Sequence, residues 1–572
     1  MTTAPAPLLD SRDLDVPENV LSKDVSRRRT RSALPSEVDV AIIGAGPAGL
    51  VAGAYLTRAG IRVALFDSHY VAGGCATVFS RAGLVPSDDG VPTAGHYHFD
   101  VGLHYVGDCI EGMIPRLLAG AGIHQRFLPM DPDGFDTLIF PDFEFRIPVG
   151  LDAFRARLYA TFPDERRGID RYISLLAGVD RLGRAGERRD RSKLAMAFAG
   201  ARSVTALRNM QSTIGTFLDG CTKNPRLKAV LLGQSGDYGL PPSEASALLH
   251  AGLSNHYFRG AYYPEGGGQI LSDKLAETIE AAGGQIHLRC GIDQILVDTS
   301  GRACGVRTEA RRGVVSEVRA RVVLSGADLK RTLLEMVPPD ALPAESRRRA
   351  EKMVMGGAIF MTFLGVKGRM TDLGMRNANY WQFDTLDMDA LYRDNRARPV
   401  GELKASAAYI TSASVKDPGS AHHAPAGAQT LEIMTLVPGE PERWGVAKDA
   451  VSSWTYKRSD AYKEQKARIE ADLIGRVEAL FPCVKDRIIY RESATPVTHS
   501  RFTRASDGTG YGLAATPDQF LKGRPGYRGP IPGLYVCGAS TRSGHGIVGA
   551  MMSGWHAAKR VADELGRQVA AP

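Results

Sequence analysis

One segment, residues 38–67, constrains the fold of this chain more than any other because it has the pattern of a complete βαβ unit. A β-branched, apolar run at 38–43 leads directly into a glycine-rich turn at 44–49, and a helical pattern follows. A second apolar run then ends at Asp67. Strand, glycine turn, helix, strand and acid occur here in the order that dinucleotide-binding folds use. The segment therefore predicts an α/β protein with a nucleotide-binding sheet.

The three glycines of the turn have separate physical roles in such a fold. Gly44 permits the tight turn, Gly46 lets the backbone approach a pyrophosphate, and Gly49 lets the helix pack closely on the strand. The helix then presents free N–H groups and a positive dipole end to the phosphates. Asp67, at the tip of the second strand, is placed to accept hydrogen bonds from a ribose hydroxyl.

A pair of adjacent glycines, Gly73 and Gly74, follows shortly after Asp67. Neighbouring glycines let a backbone run close to phosphates or a ribose, where a side chain would collide. A simple surface loop is the alternative interpretation of this pair. Its position just beyond the second strand favours a cofactor contact.

The composition, 44% hydrophobic and 23% charged, is typical of a globular protein. A chain of 572 residues is expected to form roughly two to four lobes. Its seven cysteines are scattered and include no CxxC pair, which indicates a reduced compartment and no zinc site. With no secretory signal visible, we expect a cytoplasmic location. The histidines at 96, 98 and 104 lack a carboxylate or thiolate at helical spacing, so we assign no metal site.

Part of the net charge of +8 lies in residues 1–36, where four arginines cluster in a segment rich in serine, proline and aspartate. This composition predicts a disordered basic leader. A twin-arginine export signal is the alternative. It is disfavoured because a polar gap, and not a cleavable apolar region, follows the arginines.

Residues 150–260 have a mostly helical pattern, and within them the stretch 181–208 is strongly basic. Nucleic-acid binding is disfavoured, because the interleaved residues are aliphatic and not stacking aromatics with glycine. A helix with a basic face and an apolar flank can instead rest on an anionic membrane. A solvated helical face is the simpler interpretation, and both remain open at this point.

The pattern of the first sheet returns later in the chain. A glycine loop at 263–268 leads into a helical segment, and strand-like runs follow at 285–289, 294–298, 303–307 and 320–324. A nucleotide-binding domain that is interrupted by inserted lobes explains this return better than independent domains in series.

Residues 333–486 form a second mixed segment. Strand-like runs at 358–366, 407–412 and 429–436 predict an antiparallel sheet, and residues 460–480 predict an amphipathic helix. The tail contains a last strand that ends at Gly538, and a final helix of about fifteen residues follows it.

Five blocks of this sequence resemble the flavin-containing family of phytoene desaturases, carotenoid isomerases and retinol saturases. The last of them is similar to the saturase and isomerase branch in particular. The blocks are 44–67 with the glycine pair at 73–74, 99–105, 263–267, 533–549, and 494–498 followed by 510–512. The resemblance covers nearly the whole chain from residue 38 to about residue 560.

The resemblance implies a Rossmann-type FAD-binding domain that is interrupted by a mixed α+β substrate domain, as in glutathione-reductase-like flavoproteins. The implied FAD-binding domain comprises residues 37–105, 263–332 and 487–565. Residues 106–262 and 333–486 form the implied substrate-binding domain, which is partly helical.

The resemblance also implies which residues bind FAD. The pyrophosphate would lie at the glycine turn, the ribose at Asp67 and the adenine side at Ile292. The isoalloxazine ring would lie along Gly538 and the start of the final helix. The implied cofactor-binding residues are Gly44, Gly46, Gly49, Asp67, Gly73, Gly74, Ile292, Gly538, Ile547, Val548 and Gly549.

Two positions depart from the patterns of related flavoproteins. Many of these proteins have a glutamate where Asp67 stands, so the shorter side chain changes the expected geometry. Amine-oxidase relatives often have an arginine just after the paired glycines, where this chain has Cys75. That difference counts against the amine-oxidase branch.

The implied reaction is hydride transfer between flavin N5 and a carbon of a long, apolar, conjugated polyene. Saturation, desaturation and isomerisation all remain open. The resemblance places His104, His545 and Tyr105 near the flavin as catalytic proton donors or acceptors. Only one complete dinucleotide fingerprint is present. Electrons would therefore come from the substrate, from a separate electron donor, or from a nicotinamide that binds transiently.

Two alternatives remain beside this interpretation. A tailoring enzyme that reduces or cyclises a polyene natural product would have the same sequence features. A non-catalytic lipid or prenyl binder of the GDP-dissociation-inhibitor type would share the fold and would not use flavin. The presence of Asp67 and the glycine pair at 73–74 favours an enzyme.

Overall fold

The computed structural model of the chain describes residues 33–86, 92–187, 199–310 and 313–572. The predicted basic leader lies outside the described residues except for residues 33–36. The centre of the basic stretch, residues 188–198, lies outside them as well.

Nineteen strands are present in the described residues. They are β1 (Glu37–Ile43), β2 (Val63–Phe66), β3 (Val78–Val85), β4 (Thr93–Asp100), β5 (Val106–Gly107), β6 (Phe127–Pro129), β7 (Asp136–Ile139), β8 (Glu144–Ile147), β9 (Ala261–Pro264), β10 (Gln285–His287), β11 (Ile292–Val297), β12 (Ala303–Thr308), β13 (Glu317–Ser325), β14 (Ala358–Lys367), β15 (Asn379–Phe383), β16 (Ala407–Thr411), β17 (Ala428–Val437), β18 (Ile488–Ala494) and β19 (Leu534–Val536).

Eleven longer helices are present in the described residues. They are α1 (Pro47–Arg58), α2 (Met113–Gly120), α3 (Leu151–Thr161), α4 (Arg166–Glu187), α5 (Ala247–Phe258), α6 (Ile270–Ala281), α7 (Ala344–Glu351), α8 (Ala390–Ala397), α9 (Asp460–Leu480), α10 (Pro496–Thr503) and α11 (Gly546–Glu564). Shorter helices lie at Val204–Arg208, Ile214–Asp219, Pro225–Leu231, Leu329–Arg331, Ala413–Lys416 and Lys448–Ser452.

The first sheet contains the βαβ unit and the strands that return to it. Its order is β10-β2-β1-β13-β12-β11, and β19 pairs with residues 323–325 at the carboxyl end of β13. Strands β10, β2, β1, β13 and β19 are parallel, whereas β11, β12 and β13 form an antiparallel meander. The predicted return to the first sheet is confirmed. The run predicted at 285–289 does not belong to the meander, because β10 lies beside β2 at the far edge.

Helices cover the parallel part of this sheet, which explains why its strands have continuous apolar runs. All four residues of β2 are buried, as are the last four of β1. Helices α1, α6 and α11 pack together against one face in a single apolar cluster. A second cluster, which includes Leu329, Leu333 and Val337, covers the other face.

The second sheet has seven strands in the order β18-β14-β17-β16-β15-β7-β8. Its pairs are antiparallel except for β15 with β7, which is parallel. The antiparallel sheet predicted from the runs now seen as β14, β16 and β17 is confirmed. Helix α9 packs on this sheet through buried residues that include Ile469, Leu473 and Val477, as its amphipathic pattern predicts.

The boundary between the two sheets differs from the predicted one at a single strand. Strand β18 lies within residues 487–565, the last segment of the implied FAD-binding domain, but it pairs with β14 of the second sheet. The helical prediction for 150–260 agrees with α3, α4, α5 and the short helices between them. Within the part of the chain that the structure describes, no helix combines the length and apolar character needed to cross a bilayer.

Candidate active site

The glycine turn at the carboxyl end of β1 has the tight geometry that its sequence predicts. Gly44 adopts φ = +96°, a conformation that side chains rarely tolerate, and its N–H donates to the carbonyl of Phe66 at 2.8 Å. A Cβ on Gly49 would lie 2.0 Å from the carbonyl oxygen of Gly44. Helix α1 therefore lies directly on the turn only because position 49 has no side chain.

Asp67 supports the turn from the neighbouring strand. Its Oδ2 accepts a hydrogen bond from Ala45 N at 2.7 Å, and its Oδ1 accepts one from His69 N at 2.7 Å. The sequence predicts a ribose contact for Asp67 and did not reveal these two backbone contacts. The carboxylate has lone pairs left for a ribose hydroxyl, and that contact stays a prediction.

The glycine pair lies against the first turn. Gly73 N donates to the carbonyl of Ala45 at 2.7 Å, and a Cβ on Gly74 would lie 3.0 Å from Gly46 Cα. At Gly73 an added Cβ would meet Ser272 Oγ at 2.9 Å. Glycine is thus required here by protein packing, in addition to any approach of a cofactor.

A cavity of about 1020 Å³ opens at this turn and continues between the two sheets. It contacts most of the predicted site residues. Those that line it are Gly44, Gly46, Asp67, Gly74, His104, Tyr105, Ile292, Gly538, His545, Ile547, Val548 and Gly549. Gly49 and Gly73 do not line it, because they pack against the protein behind the turn.

The start of α11 forms another part of the cavity wall. The first turn of this helix contributes Ile547 and Val548, and His545 is its N-cap. Gly538 lies beside it, where its N–H donates to Ser553 Oγ at 2.9 Å. The unpaired N–H groups and the dipole of a helix N-terminus favour negative charge at this position.

The two candidate histidines are neutral in this environment. Burial lowers the pKa of both His104 and His545 to about 3. Among the described residues, the ring nitrogens of these two histidines have no hydrogen-bond partner. A neutral imidazole can donate or accept a hydrogen bond, but it does not carry an acidic proton near pH 7.

The hydroxyl group of Tyr105 contacts two carboxyl groups that the sequence did not reveal. Its hydroxyl oxygen lies 2.7 Å from Oδ2 of Asp237 and 3.3 Å from Oδ2 of Asp136. Burial raises the pKa of Asp136 to about 6, and burial together with the charge of Asp136 raises the pKa of Asp237 well above its ordinary value. One sequence signal for a buried acid was available. Asp136 follows Phe135 directly and is the first residue of the apolar strand β7.

Aromatic rings form the wall around these groups. Tyr105 stacks on Tyr257 with ring centroids 4.2 Å apart, and Trp381 meets Tyr409 edge to face at 4.5 Å. Aliphatic and aromatic side chains continue the lining. They include Leu248, Leu249, Leu253, Ile359, Met361, Phe363, Phe383 and Met434. This part of the cavity suits an apolar ligand with an extended π-system.

The residues at the turn fit a bound dinucleotide. An added Cβ at Gly46 would meet only Gly74 Cα, at 3.8 Å, so the cradle is open where a pyrophosphate approaches. The cavity is large enough to hold a cofactor and to continue into the aromatic wall. Among the described residues, no group of three or more His, Cys, Asp or Glu side chains is arranged to hold a metal ion.

An interrupted nucleotide-binding sheet, an open glycine cradle and an adjoining apolar cavity together define a dinucleotide-binding protein with a separate region for an apolar ligand. Comparison with protein families matches residues 47–562 to the flavin-containing amine oxidoreductases. The chain belongs to the flavin-containing amine oxidoreductase family, its cofactor is FAD, and the protein is an FAD-dependent oxidoreductase. The family match favours the enzyme over the non-catalytic lipid binder.

Individual relatives extend over most of the chain. An all-trans-retinol 13,14-reductase from Danio rerio is 27% identical over 526 residues, which cover 89% of this chain and 83% of that protein. A chloroplastic prolycopene isomerase from an Oncidium hybrid cultivar is 24% identical over 548 residues, which cover 94% of this chain and 86% of that protein. These relatives agree with the resemblance to the saturase and isomerase branch.

A solved structure shares the fold. Cyclohexylamine oxidase from Brevibacterium oxydans aligns with a TM-score of 0.56 at 17% identity, covering 93% of this chain and 100% of that chain. The predicted architecture, a Rossmann-type FAD-binding domain interrupted by a mixed α+β substrate domain, is confirmed by this likeness and by the two sheets.

Proposed function

We propose that this FAD-dependent oxidoreductase acts on the carbon–carbon double bonds of a long, apolar, conjugated polyene. One observation carries the proposal: a single cavity extends from the glycine cradle to a wall of stacked aromatic and aliphatic side chains. The names of the retinol reductase and prolycopene isomerase relatives support the same substrate class.

We assign the cofactor contacts by position in the cavity. The backbone at Gly44, Gly46 and Gly74 would hold the pyrophosphate, and Asp67 and Ile292 would lie toward the adenosine part. Gly538 and the first turn of α11 would lie along the flavin ring. When bound there, FAD supplies hydride transfer at its N5 atom.

The residues of this chain would orient the substrate and exclude water. The stacked rings of Tyr105 and Tyr257 offer a flat surface for a polyene. An apolar cavity also keeps bulk water from the reacting carbons. The neutral rings of His104 and His545 would serve as hydrogen-bonding groups and not as charged acids.

The proposed division into domains follows the sequence ranges. Residues 37–105, 263–332 and 487–565 would form the FAD-binding domain, and 106–262 with 333–486 the substrate-binding domain. The pairing of β18 with β14 supports moving the last boundary to the C-terminal side of β18.

The test is an anaerobic reaction followed by mass analysis. Reduced protein is mixed with all-trans-retinol or a carotenoid, and oxidised protein is mixed with the same compounds. A product heavier by two hydrogens from the reduced protein supports saturation, and one lighter by two from the oxidised protein supports desaturation. Altered retention without a mass change supports isomerisation. No change in any tested polyene would overturn the proposal, and oxidation of cyclohexylamine would then indicate an amine substrate.

We also propose a separate electron donor, because the sequence contains one dinucleotide fingerprint. Cofactor reduction by a purified reductase, with none by NADPH alone, supports this. Reduction by NADPH alone at a rate that matches turnover would contradict it.

For location, we propose residence in the cytoplasm with peripheral contact to an anionic membrane through the basic stretch. The described part of that stretch has internal partners: Arg184 pairs with Asp180 at 3.0 Å, and Arg181 donates to the carbonyl of Arg202 at 2.5 Å. Flotation with neutral and anionic vesicles tests the contact. Equal recovery from both kinds of vesicle would contradict it.

A further inference from the structure

A chain of hydrogen bonds runs through the second sheet and ends at Asp136. Lys416 Nζ donates to Thr411 Oγ1 at 2.6 Å, and Thr411 Oγ1 donates to Asn379 Oδ1 at 2.8 Å. Asn379 Nδ2 in turn donates to Asp136 Oδ1 at 2.9 Å. Because a lysine ammonium can only donate, this chain fixes the amide orientation of Asn379 and makes Asp136 Oδ1 an acceptor.

The second oxygen of Asp136 also accepts a hydrogen bond. Gln234 Nε2 donates to its Oδ2 at 2.8 Å. A carboxyl group that accepts from amide N–H groups at both oxygens is stabilised in its ionised form. Asp136 is fully buried, so the network supplies the compensation that a buried carboxylate requires.

Tyr105 connects this carboxylate to Asp237. A phenol has one proton, yet its oxygen lies within hydrogen-bond distance of both carboxyl groups, at 2.7 Å from Asp237 and 3.3 Å from Asp136. Both contacts hold a proton only if one of the two carboxyl groups is protonated. Because Asp136 accepts amide N–H groups at both oxygens, that carboxyl group is Asp237. Asp237 then donates to the phenol oxygen, and Tyr105 donates to Asp136.

Asp237, unlike Asp136, lines the cavity. It lies at the end of a short 3-10 helix, Ser235–Asp237, which Tyr511 holds by donating its hydroxyl proton to the carbonyl of Gly236 at 2.6 Å. The Tyr511 ring meets the ring of His545 edge to face, with centroids 5.7 Å apart. An uncharged carboxylic acid is thus held in the apolar wall, connected through Tyr511 to the start of α11.

We propose that the Asp237 carboxyl group is the acid that protonates the substrate carbon when a carbon–carbon double bond is saturated. One carbon of the double bond accepts a hydride from the reduced flavin, and the adjacent carbon accepts the proton from Asp237. The π bond breaks, two C–H bonds form, and Asp237 becomes a carboxylate. The Asp237 carboxylate then takes up a proton from a water molecule that enters the cavity, which restores the acid for the next turnover. This role rests on the proposed function, and it selects saturation among the open reactions.

The first test measures protonation without turnover. Infrared difference spectra of the FAD-loaded enzyme in H₂O and D₂O should contain a carboxylic-acid carbonyl band that shifts on deuteration. The band should disappear in Asp237→Asn and persist in Asp164→Asn, which makes the same change at an exposed carboxylate. A spectrum unchanged by Asp237→Asn would overturn the proposal whatever the activity.

The second test measures single turnover of dithionite-reduced enzyme with all-trans-retinol. Asparagine is uncharged and close in shape to protonated aspartate, so Asp237→Asn should retain its flavin absorbance. Its rate of saturated product formation should fall by about 100-fold or more, the usual contribution of a general acid. Tyr105→Phe retains the Asp237 carboxyl group, so its rate of saturated product formation in the first turnover should fall much less.

The outcomes distinguish the role of Asp237 from the proposed function. A near-normal rate in Asp237→Asn, or a larger loss in Tyr105→Phe than in Asp237→Asn, would overturn the role of Asp237. A wild-type enzyme that leaves every tested polyene unchanged would instead overturn the proposed function. The role of Asp237 would then fall with it, even if the infrared band were present.

Discussion

The carbonyl oxygen of Gly44 lies 2.0 Å from the position that a Cβ on Gly49 would occupy. The oxygen belongs to the turn that forms the cofactor cradle, and position 49 belongs to the helix that rests on it. The distance is far below any real contact of a Cβ atom. The helix can therefore pack against the turn only because position 49 has no side chain.

Gly49→Ala is therefore expected to displace α1 from the turn and to abolish stable FAD binding. The ratio of flavin to protein absorbance in the purified variant measures this. Gly475→Ala is the matched control, since Gly475 lies in α9 and an added Cβ would have no described atom within 4 Å. In the interior of a helix that change should stabilise the protein by up to about 1 kcal/mol. Full FAD occupancy in Gly49→Ala would show that the turn is more adaptable than its geometry implies.

Lys416 is expected to be essential for stability. Its ammonium group is buried, donates to the carbonyl of His104 and to Thr411, and lies 4.8 Å from the centroid of the Tyr263 ring. Lys416→Met leaves these acceptors unpaired and also removes the positive charge that opposes the burial-raised pKa of Glu432. We expect a loss of about 3 kcal/mol or more in the free energy of unfolding, measured by thermal or urea denaturation.

The control for Lys416 is Lys463→Met, which removes an exposed ion pair with Asp460 in α9. Such pairs contribute less than about 1 kcal/mol. Equal stability of the two variants would contradict the structural importance of the buried lysine.

Gly252 offers a way to narrow the cavity without touching the cofactor cradle. It lies within α5, lines the cavity, and has no atom within 4 Å of an added Cβ. Gly252→Leu should place its side chain in the space that the substrate uses. We expect polyene affinity to fall by about tenfold or more, since overpacking costs about 1–3 kcal/mol.

The same substitution should raise the thermal stability, because leucine favours a helix by up to about 1 kcal/mol relative to glycine. Gly475→Leu should give a similar gain in stability with unchanged affinity. Fluorescence quenching by all-trans-retinol measures affinity for both variants. Unchanged affinity in Gly252→Leu would place the substrate elsewhere in the cavity.

Local patterns predicted the cradle and both sheets. The glycine turn, β1, β2 and the three strands β14, β16 and β17 depend on spacing and periodicity over a few residues, which a sequence displays directly. The second carboxyl group beside Tyr105 could not be found in this way, because Asp237 is 132 positions away in the chain. Whether Asp237 is buried depends on packing between distant segments.

The structure also changed the interpretation of two residues that the sequence proposes for the site. Imidazole titrates near neutrality in water, which made His104 and His545 candidate acids and bases. Their burial, which depends on the two sheets enclosing the cavity, holds both rings neutral. The resemblance therefore suggested where these groups lie, whereas residue type alone missed their protonation state.

Buried neutral histidines are expected to make the protein sensitive to acid. Burial lowers the pKa of His250 to about 4, and its two ring nitrogens lie 2.8 Å from the Tyr172 hydroxyl and 3.2 Å from the Tyr238 hydroxyl. A histidine in the unfolded chain has a pKa of about 6.5. The unfolded state therefore binds more protons as the pH falls below this value, and stability is lost between the unfolded and folded pKa values.

The contribution of this one residue can be isolated with His250→Gln, which keeps hydrogen-bonding groups and does not titrate. Between pH 7.5 and 5.5, wild-type protein should lose about 1.4 kcal/mol more stability than the variant, because the unfolded histidine becomes protonated over that range. Urea denaturation at the two pH values measures the difference. Parallel losses in wild type and variant would mean that His250 takes up its proton in the folded state, in which case its place between two tyrosines does not exclude the charged form.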